Sequence, residues 1–230
     1  MKIAAFSDLH GISELPKIEE GTDIVCIAGD IIPLRNQTKI LESHEWFMNT
    51  FLQWVNDLDV KKVFLVPGNH DFMFERYNYD SIKKDITDAQ LGDKLKVLID
   101  EEYIFKDIKI YGCPWVDGLN GWAFSNAGPK NYNKIPDDCD ILISHMPSVV
   151  GKVGISNPNT NNERQFGSQM LENVLLERQV KINICGHVHT GTHGGVELNT
   201  KSGTTTKIYN VSMVNEQYID EFPVTYIEYE

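Results

Sequence analysis

Five short motifs hold most of the imidazoles of this 230-residue chain: Asp8-x-His10, Gly29-Asp30, Gly68-Asn69-His70-Asp71, His145 and Gly186-His187-x-His189. Of seven histidines only His44 and His193 fall outside them. Each motif alone is common by chance. Together they supply carboxylates, imidazoles and one amide oxygen, with Cys185 the only nearby thiol. Such a set suits Mn²⁺, Fe, Zn²⁺ or Ni²⁺ rather than a structural zinc. Seven candidate ligands are too many for one tetrahedral ion. They suit two ions sharing a carboxylate.

Each motif follows an apolar run. "KIAAF" leads to Asp8, "DIVCIA" to Asp30, "KVFLV" to Asn69, "DILIS" to His145 and "KINIC" to His187. The runs, with "DIKIYG", read as strands, and their weak alternation predicts burial on both faces. In α/β sheets, sites gather at the C-terminal ends of strands. Helical spacing over 40–58 predicts an amphipathic helix containing His44, and a second helix is expected over 168–179. "TTTKIYNVSMV" and "PVTYIEYE" read as antiparallel strands, and the Asn- and Gly-rich stretch 151–167 as a long loop. Strand–helix alternation followed by strand-rich sequence predicts a layered α/β protein with a mixed sheet or two sheets. With no linker or repeat, residues 1–230 are expected to form one domain.

The net charge of −12 and the lack of a Lys/Arg cluster disfavour a long nucleic acid as partner. Bound divalent cations would still permit a small phosphorylated substrate. No apolar run is long enough to span a membrane, and the N-terminus lacks the features of a secretory signal, so a cytoplasmic protein is expected. Cys26, Cys113, Cys139 and Cys185 form no C-x-x-C pair and are expected to be reduced, buried thiols. Oligomeric state leaves no trace in the sequence.

In this order, the motifs resemble the calcineurin-like metallophosphoesterase superfamily. "YGCPW", "WAF", "IPDDCDILISHMP", "GHVHTGTHGG" and "YNVSMVNEQY" resemble its metallophosphoesterase-domain branch, typified by the vertebrate brain 239 protein. The resemblance implies a four-layer α-β-β-α sandwich of two mixed β-sheets flanked by helices. It implies that Asp8, His10 and His189 hold one metal, that Asp30 bridges, and that Asn69, His145 and His187 complete the second. It further implies attack on phosphorus by a metal-bridging hydroxide, with His70 facing the phosphate as a catalytic group. Asp71 would accept a hydrogen bond from His70 and keep it protonated.

The branch favours small phosphodiesters, including cyclic nucleotides, with Mn²⁺ the first choice of metal in vitro. A phosphomonoesterase or protein phosphatase on the same metal site is the alternative, and a non-catalytic binding scaffold a more distant one. The protein phosphatases carry Gly-Asp-x-Val-Asp-Arg-Gly where this chain has "GDIIPLR". Substrate-contact candidates are Arg35, Trp115, Trp122 and His193, set against surface ion pairing and packing beneath a loop.

Overall fold

The structure is a computed structural model and describes residues 1–12 and 14–230. One sheet has the strand order β13-β1-β2-β3-β4. Here β1 is Lys2–Phe6, β2 Ile24–Ile27, β3 Lys62–Leu65, β4 Leu95–Val97 and β13 Thr225–Glu228. The strands from β1 to β4 run parallel, and β13 pairs antiparallel with β1. The other sheet has the order β11-β12-β10-β7-β6-β5. Its strands are β5 (Glu101–Phe105), β6 (Ile108–Cys113), β7 (Asp138–Ser144), β10 (Gln179–Cys185), β11 (Gly194–Asn199) and β12 (Thr205–Asn210). The inner four are parallel, while β5 and β11 run antiparallel at the edges.

Successive strand side chains point to opposite faces. Along β1, Ile3 and Ala5 enter the layer between the sheets, while Ala4 and Phe6 enter the outer layer. In β2, Ile24 and Cys26 face inward and Val25 and Ile27 outward. Both faces are apolar because both are covered, which is why these runs show no alternation. The middle layer is closed from the second sheet by Ile110, Ile141, Ile143, Ile182 and Ile184.

Helices α1 (Ile40–Trp46) and α2 (Leu52–Asp57), joined by a π-turn over Phe47–Phe51, cover the first sheet with Phe47, Phe51 and Val55. Helices α3 (Phe72–Arg76) and α4 (Tyr79–Asp88) extend that layer. On the far side α5 (Pro129–Tyr132) and α6 (Gln169–Glu177) pack Tyr132, Leu171 and Leu175 on the second sheet. Ser168 caps α6 by accepting a hydrogen bond from the Leu171 N–H at 3.0 Å. The layering is the α-β-β-α sandwich that the resemblance implied.

Three local features depart from the sequence reading. The stretch 151–167 carries a two-stranded hairpin, β8 (Ile155–Ser156) and β9 (Arg164–Gln165), whose strands are too short to show a period. Strand β12 pairs antiparallel with β11 but parallel with β10. Helix α4 buries only Ile82 and Ile86 among its charged residues, so its apolar face is thin. All four cysteines are free and buried, as expected.

The two sheets are joined at the end where the motifs lie. Just after β12, the Val211 N–H donates to Cys185 O at 2.8 Å, and Val211 O accepts from the Ser7 N–H at 3.0 Å. The Met213 N–H donates back to Ser7 O at 3.1 Å. Residues 211–213 therefore tie the end of β1 to the end of β10.

Candidate metal centre

Five strand ends meet at this junction. Asp8 and His10 follow β1, Asp30 follows β2, and Asn69-His70-Asp71 follows β3. His145 follows β7, and His187 and His189 follow β10. Asp8, His10, Asp30 and His187 have φ of 57°, 46°, 56° and 67°, in the left-handed region that non-glycine residues seldom enter. Four such residues in one site indicate backbone strain held by the surrounding structure. Gly186 permits the approach of β10 to β1, since a Cβ there would sit 2.2 Å from Ser7 Oγ and 2.5 Å from Asp8 Oδ2.

Backbone N–H groups fix the carboxylates. Asp30 Oδ1 accepts from the His70 N–H at 2.8 Å. Asp8 Oδ2 accepts from Ser7 Oγ at 2.5 Å and from the His187 N–H at 3.0 Å. Backbone carbonyls fix two imidazoles in the same manner. His145 Nδ1 donates to Ala28 O at 2.7 Å, and His189 Nδ1 donates to Asn215 O at 3.0 Å. With Nδ1 committed, Nε2 of each ring faces the cluster, an arrangement typical of metal-ligating histidines.

Two half-sites result. Asp8, His10 and His189 bring ligand atoms within 4.8 Å of one another, as do Asp8, Asp30 and His145. Asp30 Oδ2 lies 3.7 Å from His10 Nε2 and 3.3 Å from His145 Nε2, so a single oxygen faces both halves. Asn69 Oδ1 is 2.9 Å from His145 Nε2, and the His187 ring centre is 5.1 Å from that of His145.

Burial resists charge on both carboxylates. The neighbouring imidazoles overcome it, His189 at Asp8 and His145 and His70 at Asp30, and hold both below the usual carboxylate range. Burial pulls His10 down to about 4 and His187 to about 3, leaving neutral rings with available lone pairs. Burial opposes charge on His145 too, but Asp30 beside it lifts it to about 9. His10 Nε2 and His189 Nε2 face each other at 3.3 Å, and buried His10 Nδ1 has no hydrogen-bond partner. Anionic oxygens of Asp8 and Asp30 converging with the neutral rings of His10 and His187 fit divalent cations well.

One expected role is corrected. Asp71 does not reach His70. Its carboxylate accepts backbone N–H bonds from Asp30 at 2.8 Å, Gly68 at 2.8 Å and Ile32 at 3.0 Å. Three backbone donors fix its orientation, and it ties the β2 loop to the β3 loop. Burial, reinforced by the Asp30 charge, pushes its carboxyl up to about 7. His70 Nδ1 instead meets Gln37 Oε1. An amide oxygen only accepts, so the proton sits on Nδ1 and Nε2 lies toward Asp30 Oδ2, 3.9 Å away.

The centre opens into a cleft of about 220 Å³. Of the substrate-contact candidates, Trp122 lines it, with its ring 4.5 Å from that of His70. Trp115 does not: its Nε1 donates to Asp100 at 2.8 Å and its ring packs edge-on against Phe124. Arg35 is exposed and lines a separate cavity with Leu15, Pro33 and Trp46. His193 stacks on Phe222 and its Nε2 meets His189 O at 3.0 Å, behind the cleft rather than in it. His44, read as structural, meets Asp85 at 2.8 Å. Sequence reasoning missed Gln37, Phe166, Glu216 and Tyr218. The last two lie inside the quoted "YNVSMVNEQY", but nothing in their spacing marks them as facing the site.

The family model described as calcineurin-like phosphoesterase matches residues 1–191. Metallophosphoesterase domain-containing protein 1 of Homo sapiens is 26% identical, the match covering 94% of this chain and 67% of that protein. One solved structure superposes with a TM-score of 0.62 at 16% identity, covering 91% of this chain and 89% of the other. The phosphopantetheinyl hydrolase of Mycobacterium tuberculosis superposes with a TM-score of 0.56 at 12% identity, covering 94% and 90%.

Proposed function

The chain belongs to the calcineurin-like phosphoesterases, a family of metal-dependent phosphoester hydrolases, and we propose that it hydrolyses small phosphodiesters using two divalent ions, Mn²⁺ serving in vitro. Asp8, His10 and His189 would hold one ion, Asn69, His145 and His187 the other, and Asp30 both. The observation that carries this reading is the single Asp30 oxygen facing a nitrogen of each half-site, at 3.7 and 3.3 Å. Such a pair of ions supplies an acidified water as nucleophile and positive charge for the phosphoryl oxygens.

The chain's own groups supply the rest. His70, held by Gln37 and packed against Trp122, presents Nε2 to the cleft, where a phosphoryl or ester oxygen would lie. Trp122 and Phe166 would exclude water around the bound ester. Among the described residues no lysine or arginine lines the cleft. A second phosphate charge would find no side-chain cation there, which favours a monoanionic diester over a dianionic monoester.

The deciding assay uses Mn²⁺-loaded protein with bis(para-nitrophenyl) phosphate, para-nitrophenyl phosphate, and 2′,3′- and 3′,5′-cyclic nucleotides. Mn²⁺-dependent turnover of a diester above the monoester is expected. Faster turnover of the monoester than of every diester overturns the assignment. Elemental analysis finding no bound divalent ion would move the protein to the scaffold reading.

A further inference from the structure

The floor of the cleft is the metal centre, but its wall has a different chemistry. Trp122, Phe166 and Tyr218 line it together with one carboxylate, Glu216. Phe166 and Tyr218 remain 45% and 43% exposed, large apolar surfaces with no protein covering them. The Tyr218 ring sits 4.8 Å from that of His10 and 5.2 Å from that of His189, so the aromatic wall begins at the metal ligands. Tyr218 holds this place with a φ of 59°, a strained conformation.

Glu216 is fixed in place by neutral groups. Its Oε1 accepts from Ser156 Oγ at 2.8 Å and from Thr190 Oγ at 2.7 Å. Among the described residues no salt bridge reaches it, and its Oε2 takes no hydrogen bond. A carboxylate that is positioned, half-buried and without a salt-bridge partner beside three aromatic rings is a receptor for positive charge. Aromatic faces attract cations, most strongly an ammonium stripped of some of its water. The chain's net charge of −12 adds a long-range field of the same sign. Metal ions on the floor would take the phosphate, so the cation belongs on the other end of the same molecule.

We propose that Glu216, with Trp122, Phe166 and Tyr218, forms a cation subsite, and that the substrate is a phosphodiester with one ester group bearing a quaternary or protonated ammonium. This rests on the phosphodiester reading above and narrows it. Glu216 is the specificity-determining residue: it pairs with the ammonium and repels any second anionic group.

Two chromogenic esters test this in Mn²⁺-loaded protein: para-nitrophenyl phosphocholine and para-nitrophenyl 3,3-dimethylbutyl phosphate. They share leaving group and shape and differ by one positive charge. The choline ester is expected to have the higher kcat/KM by about tenfold, mainly through KM, in line with an ammonium paired with a half-buried carboxylate. Glu216→Gln should bring the ratio within that one variant close to 1. A ratio near 1 in the wild-type protein, or a ratio unaltered by Glu216→Gln, overturns the subsite. A binding readout separates this from the underlying reading. Choline, but not 3,3-dimethylbutanol, should quench tryptophan fluorescence in the metal-free and metal-loaded protein, and Glu216→Gln should abolish it. If choline binds this way but no diester is hydrolysed, the phosphodiesterase reading falls and the cation subsite stands. If diesters are hydrolysed but choline and its neutral isostere behave alike, the subsite falls and the enzyme reading stands.

Discussion

The two sheets bring unlike chemistry to one site. The first sheet supplies the carboxylates of the metal centre's floor (Asp8, Asp30 and Asp71) along with Asn69, His10 and His70. The second supplies only imidazoles: His145, His187 and His189. The carboxylate half is fixed by backbone N–H groups, the imidazole half largely by backbone carbonyls. Carboxylates need donors and an imidazole N–H needs an acceptor, so each half uses the backbone groups that its own chemistry requires. Neither half is a complete ligand set. The centre exists only where the sheets dock.

Changes on the carboxylate side should therefore do the most damage. Asp30→Asn removes the charge shared by both half-sites. A charge interaction of about 4 kcal/mol corresponds to roughly a 10³-fold loss in kcat/KM, and bound metal should fall below two ions per chain by elemental analysis. Retention of both ions would break the comparison, because Asp30 would not be the shared ligand.

Asp71→Ala comes next. It leaves three buried N–H donors without an acceptor, and at about 1 kcal/mol or more each the metal-free protein should lose at least about 3 kcal/mol in urea unfolding. The corrected role of Asp71 predicts this loss without substrate or metal present. On the imidazole side, His187→Ala should weaken metal binding by at least about 10–100-fold, the range seen even for outer partners of ligands. Its metal-free stability should change by no more than about 1 kcal/mol, well under the loss for Asp71→Ala, since the His187 ring makes no hydrogen bond. A large stability loss would show that the second sheet also stores structure in its ligands.

Gln37→Ala should lower kcat about tenfold with little change in KM or unfolding, through loss of His70 orientation. The smallest effect is expected away from the site. Asp140 on β7 accepts from Tyr229 Oη at 2.8 Å, just beyond β13, and pairs with Lys181 at 2.6 Å, so it links the sheets at the opposite end. Burial resists its charge, but Lys181 and neighbouring donors hold its carboxyl below the ordinary value. A depressed carboxylate stabilises the fold above its unfolded pKa and loses that contribution as pH falls through its folded pKa. Asp140→Asn should cost about 0.5–1 kcal/mol at pH 7, and the difference from wild type should close below pH 3.8.

The floor of the site was legible in the sequence because its chemistry is local to strand ends. An apolar run stopping at Gly-Asp or Gly-Asn-His marks both an element boundary and a candidate ligand. Asp71 was legible as a site residue but not in its role, since the N–H groups that claim it, two of them in the β2 loop and one at Gly68, leave no mark in side-chain spacing. Gln37 sits in a polar turn whose path only the folded β2 loop determines. Phe166, Glu216 and Tyr218 reach the cleft from a short hairpin and a late turn, and their positions depend on packing between segments far apart in sequence. The layers were readable for the same reason as the floor. Strands buried on both faces announce themselves by composition, whereas the thin apolar face of α4 does not.

The tie through Val211 sets the order of events in time. All seven metal-ligand candidates are present by residue 189, yet Ser7 is held by Val211 and Met213, and His189 by Asn215. A chain emerging from the ribosome would carry every ligand well before it could hold them in place. β1 also waits, with one edge open, for β13 from the far end of the sequence. Closures of this span are slow, because the chain entropy is lost before the contacts form. Competence to bind metal is therefore a late event in the folding of this protein, gated by residues that never touch the ion.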